Sequence, residues 1–225
     1  MAVSNIRTGF RKAITDVTFP IIAQLTNCEV IVSDYNSTDR TKEFIKSFGF
    51  KYVFTKPNKG EKLNVAKALN NGITYASTDY IHIVSPDVIY SVNICKVIEE
   101  SFPKQFENSV IRYCLHHIDK NYRINPRGGK QYGIHGYMYC WKKKMVYDLR
   151  GFDERLTCHR EDRDFIYRYF QRHKPKVIHP ENIVALHMDH PRHIGLMAGM
   201  NVGYAVSLCK ANLRNKGAKT VNSFW

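Results

Sequence analysis

The chain has 225 residues, 44% hydrophobic and 24% charged, a balance that suits one globular domain with a sizeable core. No run of eighteen apolar residues occurs, so no membrane-spanning helix is expected, and the opening MAVSNIRTGFRK lacks the apolar stretch of a signal peptide. Lys and Arg outnumber Asp and Glu by 34 to 20, a net charge of +14 that favours a polyanionic partner: nucleic acid, an acidic membrane surface or an acidic glycan.

The charge is uneven. Residues 104–150 hold ten Lys/Arg against three Asp/Glu, and residues 191–225 hold five Lys/Arg and no acid. The six cysteines (28, 95, 114, 140, 158 and 209) form no CxxC pair. That spacing predicts free thiols in a reducing compartment and a cytoplasmic protein, and it argues against a structural zinc site.

In chain order, Ala2 to Ile6 reads as a short strand and the segment ending at Leu25 as a helix. Glu29 to Ser33, "EVIVS", is a β-branched strand that ends in the cap-rich loop "DYNSTDRT". Thr41 to Phe48 reads as a helix stopped by Gly49. "KYVFT" is a strand. "KLNVAKALNNGITYA" is a helix with apolar residues at 63, 66, 69 and 73, and "YIHIV" is a strand running into "SPD". This alternation predicts an α/β fold with a mostly parallel central sheet, covered on both faces.

Beyond residue 91, "VNICKVIEESF" reads as a helix. "SVIRYCLHHI" and "YGIHGYMYCW" read as strands around a basic Gly-rich loop. "EDRDFIYRYFQRH" is a helix, "KVIHP" a strand, and Gly195 to Leu213 a helix. No repeat or linker divides the chain. It reads as a single domain: residues 1–90 form a nucleotide-binding half, 91–193 an acceptor or catalytic half, and 194–225 a basic C-terminal tail.

Ligands of open parallel sheets bind beyond the carboxyl ends of the strands. "SDYNSTD", "NKGEK" and "SPD" fall there, and a carboxylate at such a place can read a nucleoside or hold a hard cation, although an Asp after a strand is most often a helix cap. His187 and His190 in "ALHMDHPRH" have a spacing compatible with metal ligation, but on their own such histidines are more often surface or interdomain residues. "GFDERLTCHREDRDF", residues 151–165, packs five acids among three arginines, a density common on a solvated helix face.

Together these segments resemble family 2 glycosyltransferases of the GT-A (nucleotide-diphospho-sugar transferase, Rossmann-like) fold. "EVIVSDYNSTDRT" is similar to their nucleotide loop, Ser85-Pro86-Asp87 to their DxD metal motif, and "GFDE…ED" to their acceptor-side signature. "HMDHPR" resembles the metal-histidine segment of the β-1,4-galactosyltransferase and chondroitin-polymerase type. The resemblance spans residues 2 to 193, about 85% of the chain.

It implies a metal-dependent, inverting transfer of sugar from a nucleotide-sugar, expected to be UDP-linked. Asp87, His187 and His190 would hold Mn²⁺ or Mg²⁺. Arg7, Arg11, Asp34, Ser37, Lys62, Asn64, Lys67, Ser85 and Arg192 would contact the donor, with Ser85 standing where the family has an acid. Asp162 is the expected catalytic base and Glu161 an orienting neighbour, while Asp164 would pair with Arg163 or Arg168.

The basic surface and Tyr132, Tyr137, Tyr139 and Trp141 as stacking platforms suggest a polyanionic acceptor. The first expectation is hydroxymethylpyrimidine DNA, as in viral DNA modification. The alternatives are a polysaccharide or glycan acceptor, and a non-catalytic nucleic-acid-binding protein on the same fold.

Overall fold

The computed structural model describes residues 1–25, 27–61, 63–101, 109–112, 114–119, 121, 123, 139–157, 160–179 and 184–188. Strands β1 (Ala2–Val3), β2 (Ile31–Tyr35) and β3 (Lys51–Thr55) form a parallel sheet in that order. Residues Ile31 to Tyr35 pair with Lys51 to Thr55, and Ser33 and Asp34 pair with Ala2 and Val3. β2 is central and its last four residues are buried, as a parallel strand covered on both faces requires.

One face packs on α1 (Gly9–Leu25) and α2 (Thr41–Ser47) through Val3, Ile6, Phe19, Ile22, Val32, Ile45 and Phe50. The rings of Phe19, Phe44, Phe48 and Phe50 interlock there, with centroids 5.1–5.9 Å apart. Tilted and edge contacts predominate, the arrangement that ring quadrupoles favour. The other face packs on α3 (Val65–Thr74). At Gly72 the helix comes so close that a Cβ would lie 3.3 Å from the Ser33 Cβ, so the glycine sets the spacing between helix and sheet.

The remaining strands form two mixed sheets. One runs β4 (Tyr80–His82), β8 (Tyr139–Lys142), β6 (Ser109–Arg112), β9 (Lys176–Ile178), with only β6 and β9 parallel. The other runs β5 (Val88–Tyr90), β10 (Val184–Met188), β7 (Cys114–Ile118), with β10 antiparallel to β5 and parallel to β7. Helices α4 (Ile94–Ser101), α5 (Lys143–Asp148) and α6 (Glu161–His173) complete the described elements.

Several expectations are corrected. "SVIRYCLHHI" is two strands in different sheets. β5, α5 and β10 were not anticipated. The parallel pattern holds for β1 to β3, and antiparallel pairs enter from β4 onward. Tyr139 and Trp141 are 2% and 0% exposed and stack on each other at 4.9 Å inside the core, so neither is available to stack on a ligand. Trp141 packs at 4.5 Å on Tyr169 and 5.2 Å on Phe165 of α6, which fastens that helix to β8.

Cys28 and Cys95 form a disulfide across a 6.0 Å Cα separation, joining the loop after α1 to the first turn of α4. Their 67-residue separation hides the pairing in the sequence, and it removes the basis for the reducing-compartment expectation. Among the described residues no helix is long and apolar enough to cross a membrane. The expected C-terminal helix, Tyr132 and Tyr137 lie outside the described residues.

Candidate active site

The loops after β1 and β2 lock each other in place. The backbone N–H of Asn5 donates to Ser37 Oγ at 2.7 Å, and that of Ile6 to Thr41 Oγ1 at 3.1 Å. Asp39 accepts from the Arg7 and Thr41 backbone at 2.8 and 3.0 Å, fixing the start of α2. Asp34 is 1% exposed; it accepts from Ser37 and from the Tyr52 hydroxyl, the latter at 2.8 Å. Burial, followed by this bond to Asp34, raises the pKa of the Tyr52 phenol. As placed, Asp34 and Ser37 hold the loop together.

A cavity of about 200 Å³ opens beside this loop, lined by Ser4, Arg11, Tyr35, Leu63, Pro86 and Asp87 among others. Of the donor-contact candidates, Arg11 lines it. Its guanidinium donates to the Ser4 carbonyl at 2.5 Å, and burial lowers its pKa. Arg7 instead forms a 2.6 Å ion pair with Asp16 and lies 3.7 Å over the Phe44 ring. Asn64 caps α3 by accepting from Lys67 N at 2.9 Å and donates to Glu154 O at 2.9 Å. Lys67 is buried and donates to Asn58 at 2.8 Å. Lys62, His190 and Arg192 lie outside the described residues. A larger cavity, about 440 Å³, is lined by Ile22, Ile31, Ile73, Ile81 and Ile98 and contains none of the predicted site residues.

The SPD turn is positioned from two sides. Thr18 of α1, fully buried, donates to the Pro86 carbonyl at 2.6 Å, and Met188 N donates to the Asp87 carbonyl at 2.9 Å. The turn itself closes through Val88 N to Ser85 O at 3.2 Å. Asp87 Oδ2 therefore faces His187 Nε2 at 3.4 Å, each side chain 16% exposed.

That separation is long for a hydrogen bond. It fits two donors about 2.1 Å from a shared ion, which stand about 3.0–3.4 Å apart for angles of 90–109°. A carboxylate with an imidazole also suits Mn²⁺ better than Mg²⁺. Among the described residues no three His, Cys, Asp or Glu side chains are grouped, as they stand, to hold a metal ion.

The acidic signature divides between structure and chemistry. Asp153 is fully buried and held by Arg155. Asn70 donates to Phe152 O and Glu154 Oε1 at 2.9 and 3.0 Å and accepts from Phe152 N at 2.8 Å, docking the loop on α3. Asp164 pairs with Arg168 at 2.7 Å, whose guanidinium also caps Leu149 O and Gly151 O. Glu161 and Asp162 open α6. Asp162 accepts from Arg163 N at 2.7 Å, whereas Glu161 Oε2 is shielded and has no hydrogen-bond partner among the described residues. Burial, and next the Asp162 charge, raise the Glu161 pKa. Sequence reasoning missed Asn5, Thr18, Asp39 and Asn70, whose long-range partners lie 32 to 84 residues away in the chain.

The family model "Glycosyl transferase family 2" matches residues 8–151, and the chain belongs to that family. Its fold is that of GT-A glycosyltransferases. The structure of Staphylococcus aureus TarS 1–349 with UDP-GlcNAc superposes with a TM-score of 0.70 at 14% identity, covering 95% of this chain and 66% of that one. Glucosyl-3-phosphoglycerate synthase from Mycobacterium tuberculosis, with Mn²⁺, UDP and glucosyl-3-phosphoglycerate, gives 0.63 at 14%, covering 95% and 78%. The mannosyltransferase PcManGT from Pyrobaculum calidifontis, with GDP-Man and Mn²⁺, gives 0.60 at 13%, covering 97% and 64%. The chain spans 42% of the longer TarS structure and less than two thirds of the 1–349 form. No curated protein matches it significantly by sequence.

Proposed function

We propose that this family 2 chain is a metal-dependent, inverting glycosyltransferase that moves a sugar from a nucleotide-sugar, UDP-linked, to a hydroxyl of a polyanionic acceptor. The observation that carries the reading is the 3.4 Å approach of His187 to Asp87, a residue that lines the cavity beside the β1 and β2 carboxyl ends. Similar structures hold UDP-GlcNAc, UDP with Mn²⁺, and GDP-Man with Mn²⁺, which supports a nucleotide-sugar donor and a divalent ion.

Asp87 and His187, with His190, would hold Mn²⁺ or Mg²⁺. A bound cation supplies positive charge to the departing diphosphate. Arg11 adds charge-assisted contacts from the cavity wall, with Ser85, Lys62 and Arg192 assigned to the same donor. Asp162 is the base. Its carboxylate accepts the Arg163 N–H at the start of α6, and the buried Glu161 beside it, its pKa raised, keeps a proton. The acceptor oxygen bonds to the anomeric carbon as the bond from that carbon to the diphosphate breaks. The hydroxyl proton passes to Asp162, and the nucleoside diphosphate leaves with the electron pair. Attack opposite the leaving group inverts the anomeric centre.

Hydroxymethylpyrimidine DNA is the first acceptor to test, because the excess charge falls in residues 104–150 and 191–225. A second reading, an anionic sugar or glycan acceptor, is favoured by the similar structure that holds glucosyl-3-phosphoglycerate. Mn²⁺-dependent release of UDP from a UDP-sugar panel, with hydroxymethylated DNA against acidic oligosaccharides, separates them. Stimulation by DNA alone supports the first reading, and stimulation by oligosaccharide alone replaces it with the second.

A further inference from the structure

We propose that His117 is a further donor to the cation site of Asp87 and His187, an inference that rests on the metal-dependent reading above. The sheet of β5, β10 and β7 makes the juxtaposition. The parallel β10–β7 ladder pairs His187 with His117, and the antiparallel β10–β5 ladder pairs His187 with Val88, the residue after Asp87. Residues in register project to one face of a sheet, and alternation sends His116 to the other.

The His117 and His187 rings are 4.7 Å apart between centroids, at 55°. Two imidazoles sharing one ion at about 2.1 Å, with angles of 90–109°, hold their ring centres about 4.6–5.3 Å apart. The observed spacing falls in that range. His187 thus has a carboxylate on one side and a second imidazole on the other. Because no three such groups among the described residues are grouped, as they stand, to hold an ion, binding calls for rotation of the His117 ring. The plain alternative is that His117 only packs against His187, and a phenylalanine would do that equally well.

The test is direct titration of the purified protein with Mn²⁺, without donor, reading the free ion by electron paramagnetic resonance. The expected result is that His117→Phe, with thermal melting like the wild type, weakens Mn²⁺ binding by at least about tenfold, the scale on which lost partners of metal sites act. His116→Phe stays within about twofold. Wild-type affinity in folded His117→Phe overturns the proposal. If that variant does not fold, wild-type protein labelled with ¹⁵N-histidine is titrated with Zn²⁺. A coupled move of the His117 and His187 ring-nitrogen resonances supports the proposal, and a move of His187 alone overturns it. A wild type that binds no Mn²⁺ removes the metal-dependent reading itself, and this proposal with it.

Discussion

Glu161 and Asp162 carry the same chemical group one position apart, and the start of α6 separates their roles. Asp162 takes a backbone N–H, while Glu161 is shielded and its pKa is raised. Asp162→Asn should therefore lower kcat by about 10²–10⁴, the range of a lost general base, and leave the Kd for UDP by calorimetry within about twofold. Glu161 gives a stability signature as well. Between an ordinary carboxylate pKa and its raised value, the folded protein keeps a proton that the unfolded chain has released. Stability therefore falls as pH rises through that window. Glu161→Gln should melt with the wild type near pH 4 and at least about 2 °C above it at pH 8; calorimetric scans across pH read the difference. At this scale the sequence shows residue types but not their partners. For Asp164 the sequence offers Arg163 or Arg168, and the structure has Arg168, at i,i+4 spacing. The internal bonds of Asp34 and Lys67, and the burial of Tyr139 and Trp141, were not legible, because each depends on residues distant in the chain.

Helices carry their own punctuation, so α2 ends before Gly49 and α6 covers residues 161–173 as read from the sequence. The short strands β4 and β9 fall inside "YIHIV" and "KVIHP", whereas the three residues of β5 are too few to show a period, and the division of 109–118 between two sheets depends on remote partners. One cross-brace matters most for the site. Asn70 of α3 makes three hydrogen bonds to the loop that leads into α6. Asn70→Ala should cost about 2–4 kcal/mol by urea unfolding, since buried backbone groups and a carboxylate lose their partners. The Cys28–Cys95 bridge closes a 67-residue separation, worth about 4 kcal/mol in the chain-entropy account. Cys28→Ser should lower the melting temperature by about 8 °C or more, and dithiothreitol should then have no further effect.

For the whole molecule, the parallel half is local in sequence and was readable as alternating strands and helices. The mixed half joins elements from residues 80 to 188, and no sequence period reports that. The fold brings the carboxyl end of β2, the SPD turn and β10 to one region, where Thr18 and Met188 hold Asp87 against His187. The central claim is that this cation pair and Asp162 serve a single reaction. Turnover of a UDP-sugar panel with and without Mn²⁺, in wild type, Asp87→Ala and Asp162→Asn, tests it most directly. The account predicts UDP release that requires the ion and falls at least about 100-fold in both variants. Turnover that survives chelation and the loss of Asp87, or no turnover of any nucleotide-sugar, would contradict it.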